Sequence, residues 1–127
     1  MKNCPFCTLP AERIIHTSQH GLIIWDGYPI SPGHTLVIPR RHVDSFFALN
    51  AEEKLDLLGL LEIAKAGTDA EFKPDSYNVG INDGPAAGQT VPHLHIHLIP
   101  RYLGDVPDAR GGVRWIIPGK ADYWTKP

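Results

Sequence analysis

The sequence has few cysteines, little excess charge and no long apolar run. Its 127 residues include two cysteines, and the formal net charge is −2 at pH 7. This balance gives no overall attraction to nucleic acids or anionic membranes, although Arg40 and Arg41 would form a local basic patch. The longest apolar runs, such as LLGLL at 57–61, are far shorter than the about 20 residues of a membrane-spanning helix. We therefore expect neither a nucleic-acid partner nor a membrane partner.

The N-terminal residues MKNCPFCTLP contain no apolar signal segment before the first proline, so we expect a cytoplasmic protein. Cys4 and Cys7 are separated by two residues, which is the CxxC spacing. In a reducing compartment, a structural disulfide is less expected for such a pair than a metal-binding or redox role. Two reduced thiols without a further role remain a third interpretation.

The rest of the sequence predicts a single α+β domain over residues 1–127. Hydrophobic residues make up 43% of the chain and charged residues 20%, which is typical of one globular domain. Asn50 followed by Glu53 predicts a capping box at the start of a long helix over 51–72. Short apolar and β-branched runs predict strands at 13–17, 22–26, 34–39, 77–82 and 93–99. We expect one antiparallel sheet of about five strands, one helix, and a Gly-, Pro- and Trp-containing tail at 101–127 that is ordered by packing.

The segment HLHIHLIPR at 93–101 places three of the seven histidines at alternate positions. Alternate residues share one face of a strand, whereas these histidines would be about 200° apart on a helix. Pro92 and Pro100 bracket the run, which also suits a bounded strand. His93, His95 and His97 would therefore line one face, and the aliphatic residues between them would point into a core.

Three histidines on one strand face are too far apart to bind a single metal ion together. The first and third lie roughly 13 Å apart at about 3.3 Å per residue, whereas zinc ligands lie about 2.0–2.1 Å from the metal. A solvated strand face is one alternative, and acid–base or nucleophilic chemistry on an anionic group is another. The loop GQT at 88–90 favours the second, because its backbone N–H groups and polar side chains suit an anion.

The stretch GQTVPHLHIHLIPR at 88–101 resembles the signature of the histidine triad (HIT) family, His-φ-His-φ-His-φ-φ, where φ is apolar. PGHTLVIPRRHV at 32–43 resembles the same family's other histidine segment, and the resemblance covers roughly residues 4–101. It implies a HIT-like fold and a homodimer. It also implies an enzyme that transfers the α-phosphoryl group of a purine nucleotide through a covalent nucleotidyl-histidine, with no metal needed for the chemistry.

The resemblance implies a role for each site residue. His95 would be the nucleophile, held in the required tautomer by a backbone carbonyl such as that of His93. His97 would assist the leaving group by hydrogen bonding or protonation, and His34 would contact phosphate oxygens. Further nucleotide or phosphate contacts would come from Asp26, at the ribose, and from Asn82, Gly88, Gln89, Thr90 and His93. A turn residue for Asp26 and a strand-end cap for Asn82 are the competing interpretations.

The resemblance also implies a structural zinc site, because some bacterial members bind zinc through an N-terminal CxxC segment. The ligands here would be Cys4 and Cys7, in the segment 1–10, with His42 and His93. Two cysteines and two histidines are a sound tetrahedral zinc set.

Two questions about function stay open at this point. The leaving group would be a second nucleotide, as in dinucleoside polyphosphates, or an amine, as in nucleoside phosphoramidates. A nucleotide-binding regulatory or scaffolding protein, with only slow incidental hydrolysis, is the alternative from another class.

Overall fold

The computed structural model describes residues 3–125, in which five strands form one antiparallel sheet. The strands are β1 (Ile14–Thr17), β2 (Gly21–Trp25), β3 (Thr35–Pro39), β4 (Ser76–Ile81) and β5 (Ile96–Arg101). Their order in the sheet is β1-β2-β3-β5-β4, and every neighbouring pair is antiparallel. The predicted α+β fold with a five-stranded sheet is confirmed.

One long helix, α1 (Ala51–Phe72), packs on the sheet. It begins at the predicted capping box, since Asn50 Oδ1 accepts the Glu53 N–H at 2.8 Å and Glu53 accepts the Asn50 N–H at 3.0 Å. Arg41, which follows β3, donates two hydrogen bonds to the same Glu53 carboxylate. These hydrogen bonds lower the pKa of Glu53 to about 2 and tie the helix N-terminus to the end of β3.

The two faces of the sheet carry separate apolar clusters. Leu57 and Leu60 of α1 pack with Val37, Ile96 and Leu98 on one face. On the other face a smaller cluster includes Ile24, Leu36 and Ile38, packed against Phe6 and Leu9 of the N-terminal segment. Because side chains alternate along β5, burial of Ile96 and Leu98 beneath the helix leaves His97 on the opposite face.

The histidine segment is only partly a strand, which corrects the predicted bounds of 93–99. β5 begins at Ile96, because residues before it are hydrogen-bonded to a loop rather than to β3: the Leu94 N–H donates to Val43 O at 2.7 Å. Pro100 lies within β5 instead of after it. Its carbonyl accepts from Ser31 Oγ, so its nitrogen faces a loop, where no strand partner needs an N–H donor.

The tail after β5 folds back on itself and packs beside β4. It contains two short 3-10 turns, Gly112–Ile116 and Pro118–Lys120, and the first of them contacts β4. The Arg110 and Arg114 guanidinium groups lie 4.8 Å from the ring centroids of Trp124 and Tyr123. Within residues 3–125, no helix combines the length and apolar character needed to cross a membrane.

Candidate active site

Three polar side chains meet where β2, β3 and β5 lie side by side. Asp26 directly follows β2, His34 directly precedes β3, and His97 lies on β5. His34 Nε2 is 2.9 Å from His97 Nδ1 and 3.2 Å from Asp26 Oδ2. The Asp26 N–H also donates to His34 O at 3.1 Å, so the backbone fixes this pair across the two strands.

The hydrogen bonds define where the protons of His34 and His97 lie. The Ile30 N–H donates to His34 Nδ1 at 3.2 Å, so the proton of a neutral His34 is on Nε2. That Nε2–H then donates to His97 Nδ1, which places the His97 proton on its own Nε2. Both rings are therefore held as Nε2–H tautomers. The Nε2–H of His97 does not bond to His34, because His34 contacts the other nitrogen of that ring.

Burial disfavours the charged form of both rings. It lowers the pKa of His34, although the nearby Asp26 carboxylate acts in the opposite direction. Burial likewise lowers the pKa of His97 to about 4, and the neighbouring His95 and His34 rings lower it further. His97 is therefore a neutral ring near pH 7, and its assistance to the leaving group, by hydrogen bonding or protonation, stays a prediction.

Asp26, His34 and His97 also have the composition of a metal site, since their ligand atoms lie within 4.8 Å of one another. A metal at His34 Nε2 would need the lone pair on that nitrogen. The Ile30 N–H already occupies the Nδ1 lone pair, so the Nε2 atom must carry the proton. The arrangement consequently favours a chain of hydrogen bonds over metal coordination.

His95 is fixed in the opposite tautomer. Its Nδ1 lies 2.8 Å from His93 O, and a carbonyl can only accept, so Nδ1 carries the proton and Nε2 keeps its lone pair. The ring is 9% exposed and lies edge-on to Phe6 and His97, with centroid distances of 5.1 and 5.2 Å. This is the tautomer that attack by Nε2 requires, and His93 supplies the carbonyl, as the sequence suggested.

A large cavity opens beside this cluster. It has a volume of about 980 Å³, and Asp26, His34, His97 and Asn82 contribute to its lining. Asp26 also accepts the Tyr28 N–H at 2.7 Å, which is the turn contact that competed with a ribose contact in the sequence interpretation. The ribose role of Asp26 and the phosphate role of Asn82 remain predictions.

The predicted phosphate contacts of the glycine-rich loop lie outside this cavity. Gln89 accepts the Gly84 N–H and donates to Asp44 O and Val91 O, so its amide is fully used within the protein. Its backbone N–H donates to Gly84 O, and the Gly88 N–H donates to Pro85 O. Gln89 and Thr90 line a separate cavity of about 190 Å³. The Gly88 and Gln89 groups are therefore hydrogen-bonded within the protein, and the phosphate contacts of Gly88, Gln89 and Thr90 stay predictions.

His93 also differs from its predicted phosphate contact. Its ring is 0% exposed, and its Nε2–H donates to Pro39 O at 2.8 Å. The remaining nitrogen, Nδ1, lies 3.4 Å from Cys4 Sγ, 3.6 Å from Cys7 Sγ and 3.3 Å from His42 Nδ1. The ring therefore belongs to the cysteine cluster, and only the His93 carbonyl serves the histidine site.

The cluster of Cys4, Cys7, His42 and His93 fits a tetrahedral zinc ion. Ligands at 2.0–2.3 Å from zinc lie roughly 3.3–3.8 Å apart, which matches the separations around His93 Nδ1. Both cysteines are free thiols, and the Pro39 carbonyl orients His93 as outer-shell partners orient metal-bound histidines. Burial raises the pKa of Cys7, with Cys4 as the second cause. A bound cation would offset that penalty on the thiolate.

Several lining residues had no sequence signal. Tyr28 and Ile30 come from the loop after β2, and Val113 and Trp115 come from the tail. The paired glycines at 111–112 indicate a turn with positive φ values, but the sequence does not indicate that this turn faces a cavity.

Comparison with known proteins identifies the family. The HIT domain model matches residues 9–104. The chain belongs to the HIT family.

It is 37% identical over 118 residues to a bis(5'-adenosyl)-triphosphatase of Saccharomyces cerevisiae, covering 91% of this chain and 54% of the yeast protein. An uncharacterized HIT-like protein of Methanocaldococcus jannaschii is 35% identical over 108 residues, covering 80% of this chain and 81% of its own length. The chain thus spans about half the length of the yeast relative.

Solved structures of HIT proteins share this fold. A HIT family protein from Bacillus anthracis superposes with a TM-score of 0.73 at 38% identity, covering 79% of this chain and 74% of the other. Plasmodium falciparum diadenosine triphosphate hydrolase, solved with cyclomarin A, gives 0.74 at 28% identity, covering 79% and 68%. The HIT domain match ends at residue 104, so the tail residues that line the cavity lie beyond it.

Proposed function

We propose that this HIT protein hydrolyses a purine nucleotide at its α-phosphate, through a covalent nucleotidyl-histidine on His95. The observation that carries the proposal is the His95 tautomer, whose Nδ1–H is bound to His93 O while Nε2 is free to attack. The relatives named as triphosphatases and diadenosine triphosphate hydrolases support a nucleotide substrate.

In the first step, the His95 Nε2 lone pair forms a bond to the α-phosphorus, and the bond from phosphorus to the leaving group breaks. The His95 Nδ1–H stays hydrogen-bonded to the His93 carbonyl oxygen, and this acceptor stabilises the positive charge that develops on the ring. His97 donates its Nε2–H to the departing atom. In the second step, water attacks the phosphorus, the N–P bond breaks and its electron pair returns to His95 Nε2. One proton of the water passes to solvent, and the nucleoside monophosphate is released with His95 neutral again.

The proton positions favour an anionic leaving group. Protonating His97 at Nδ1 would oppose the His34 Nε2–H that already points at that atom, and burial disfavours the cation as well. A neutral imidazole hydrogen bond can support a departing polyphosphate, which is stable as an anion near pH 7. An amine must gain a proton as it leaves. We therefore propose dinucleoside polyphosphates as the preferred substrates, with nucleoside phosphoramidates as the alternative.

The test is turnover of diadenosine triphosphate and adenosine 5'-phosphoramidate by the wild type and His95→Ala, with His16→Ala as a control at an exposed histidine. His95→Ala should lose hydrolysis while nucleotide affinity stays within about tenfold. A labelled nucleotidyl adduct should form on His95 of the wild type. An adduct on another residue would refute the assignment. Tight nucleotide binding without turnover of either compound would favour the binding or scaffolding alternative.

We also propose a structural zinc ion on Cys4, Cys7, His42 and His93. The support is the mutual approach of the four ligand atoms and the orientation of His93 by Pro39 O. Such a site would join the N-terminal segment to the loop after β3 and to the histidine segment. It would take no part in the chemical steps.

A homodimer is proposed on the exposed face of α1. Leu55, Leu58 and Ile63 lie on that face, with side chains 72%, 47% and 48% exposed, and a Cβ added at Gly59 would meet no atom within 4 Å. Their spacing of three to five residues gives one apolar stripe along the helix. Leu58→Glu should convert a dimer to a monomer in light scattering after size exclusion. A wild type that is already monomeric would contradict the proposal.

A further inference from the structure

The tail forms one wall of the large cavity, beside β4. The sheet order places β3, β5 and β4 side by side, and the Gly112–Ile116 turn packs against β4. Neighbouring strands are about 4.8 Å apart, so the cavity extends across two strand spacings, roughly 10 Å, between His34 and β4. A leaving group that departs from His97 has room to extend toward the tail.

Trp115 presents a rigid aromatic surface on this wall. Its ring is 45% exposed and lines the cavity, and its Nε1–H donates to Arg110 O at 2.7 Å. The turn before it depends on Gly111 and Gly112, with φ values of +91° and +43°. A Cβ on Gly112 would lie 3.3 Å from Asn78 Nδ2, so the turn rests closely on β4. The indole position is thereby fixed relative to His97.

Contacts with later residues of the tail also hold the Gly111–Gly112 turn in place. The Arg114 Nε–H donates to Ala121 O at 3.1 Å, and the Ala121 side chain is 0% exposed. A Cβ on Gly111 would lie 3.1 Å from the ring of Trp124. A surface that is already ordered loses little conformational freedom when a ligand binds to it.

The charges near Trp115 suit an uncharged ring better than another phosphate. Arg101 lines the cavity, but its guanidinium makes two hydrogen bonds, of 2.7 and 2.8 Å, to Asp105 and a third to Asn78. Asp108, also in the lining, pairs with Arg110. The positive charge is thus neutralised within the protein, and the neighbouring Val113 and Ala109 are apolar.

We propose that Trp115 stacks on the base of the leaving nucleoside, so that the tail selects substrates with two nucleosides over those with one. This deepens the proposed hydrolase function and rests on it, because His97 is taken to lie at the bond that breaks. The tail residues 105–124 lie beyond the HIT domain match, which ends at residue 104.

The experiment measures equilibrium binding to the His95→Ala protein, in which no turnover disturbs the measurement. The probes are diadenosine triphosphate and ATP, since both have an adenosine joined to an α–β anhydride but ATP lacks the second adenosine. Trp115→Ala should weaken binding of diadenosine triphosphate by about 5- to 150-fold, which corresponds to the about 1–3 kcal/mol of stacking per base. Binding of ATP should change less than about twofold.

Trp115→Phe should restore most of the lost affinity, because it keeps an aromatic face while removing the indole N–H. The matched control is Ile116→Ala, since Ile116 is 77% exposed in the same turn and does not line the cavity. Equal weakening for both probes, or no weakening, would overturn the Trp115 proposal. Selective weakening together with a wild type that hydrolyses neither diadenosine triphosphate nor adenosine 5'-phosphoramidate would refute the hydrolase function and keep the base-binding role. Failure of both probes to bind the parent His95→Ala protein would refute both.

Discussion

Acidification should destabilise this protein through His97, and the size of the effect follows from its surroundings. The ring is partly buried, and this burial, together with the neighbouring His95 and His34 rings, lowers its pKa from an ordinary value of 6.5 to about 4. Below pH 6.5 the unfolded chain binds a proton that the folded protein excludes. The stabilising contribution is therefore complete above pH 6.5 and is lost as the pH falls toward 4. Between pH 7 and pH 5 the loss from His97 is about 2 kcal/mol.

The assay is thermal or urea unfolding of the wild type and His97→Gln at pH 7 and pH 5, with equal zinc in every sample. Glutamine does not titrate, and its amide oxygen still accepts the His34 N–H. The wild type should lose about 2 kcal/mol more than the variant between the two pH values, or roughly 6–10 °C in Tm. His16→Gln is the control, because it makes the same replacement at an exposed histidine outside the site. A His97→Gln protein as acid-sensitive as the wild type would refute the assignment of a buried neutral His97.

Three further outcomes are expected. Asn50→Ala should lower the free energy of unfolding by about 1 kcal/mol, measured by urea denaturation, because it removes half of the capping box; an unchanged midpoint would contradict the role of that cap. Elemental analysis of wild type purified without chelator should find about one zinc per chain. Cys7→Ser should lose that zinc and lower Tm, while activity per folded molecule largely survives. A metal-free wild type would exclude the zinc site. Gln89→Ala should lower the free energy of unfolding by about 1–3 kcal/mol, because the Gln89 amide holds the loop together. The KM for diadenosine triphosphate should change little. A large change in KM at unchanged stability would support the predicted phosphate contact instead.

The fold could be predicted from local sequence patterns, because those patterns agree with the packing of the folded protein. Asn50 and Glu53 mark the start of α1, and the aliphatic residues between the histidines do enter the core. The approach of Cys4 and Cys7 to His42 and His93 was also anticipated through the family resemblance. Each of these features depends on residue spacing, which the sequence displays directly.

Features that depend on competition between possible hydrogen-bond partners could not be predicted from the sequence. The polar groups of Gln89 could bind either an anion or the loop itself, and only the folded turn shows that Gly84 and Asp44 take them. The tautomer of His34 depends on the Ile30 N–H, a backbone group with no sequence signature. Trp115 reaches the cavity because the tail turns back on β4, a long-range contact that composition does not indicate.

His93 and Phe6 link the N-terminal segment to both polar sites. Phe6 lies edge-on to the rings of His93 and His95, and the Cys7 N–H donates to Cys4 O in the same segment. If this segment opens by local unfolding, it removes the packing on both rings and separates the thiols from His93 in one event. Amide hydrogens of Cys7 and of Leu94, which is bonded to Val43 O, should consequently exchange with solvent as one cooperative unit. Zinc should slow hydrogen exchange at both positions by the same factor. The rate at which the N-terminal segment opens would then determine how long the His95 ring stays packed in its ordered position.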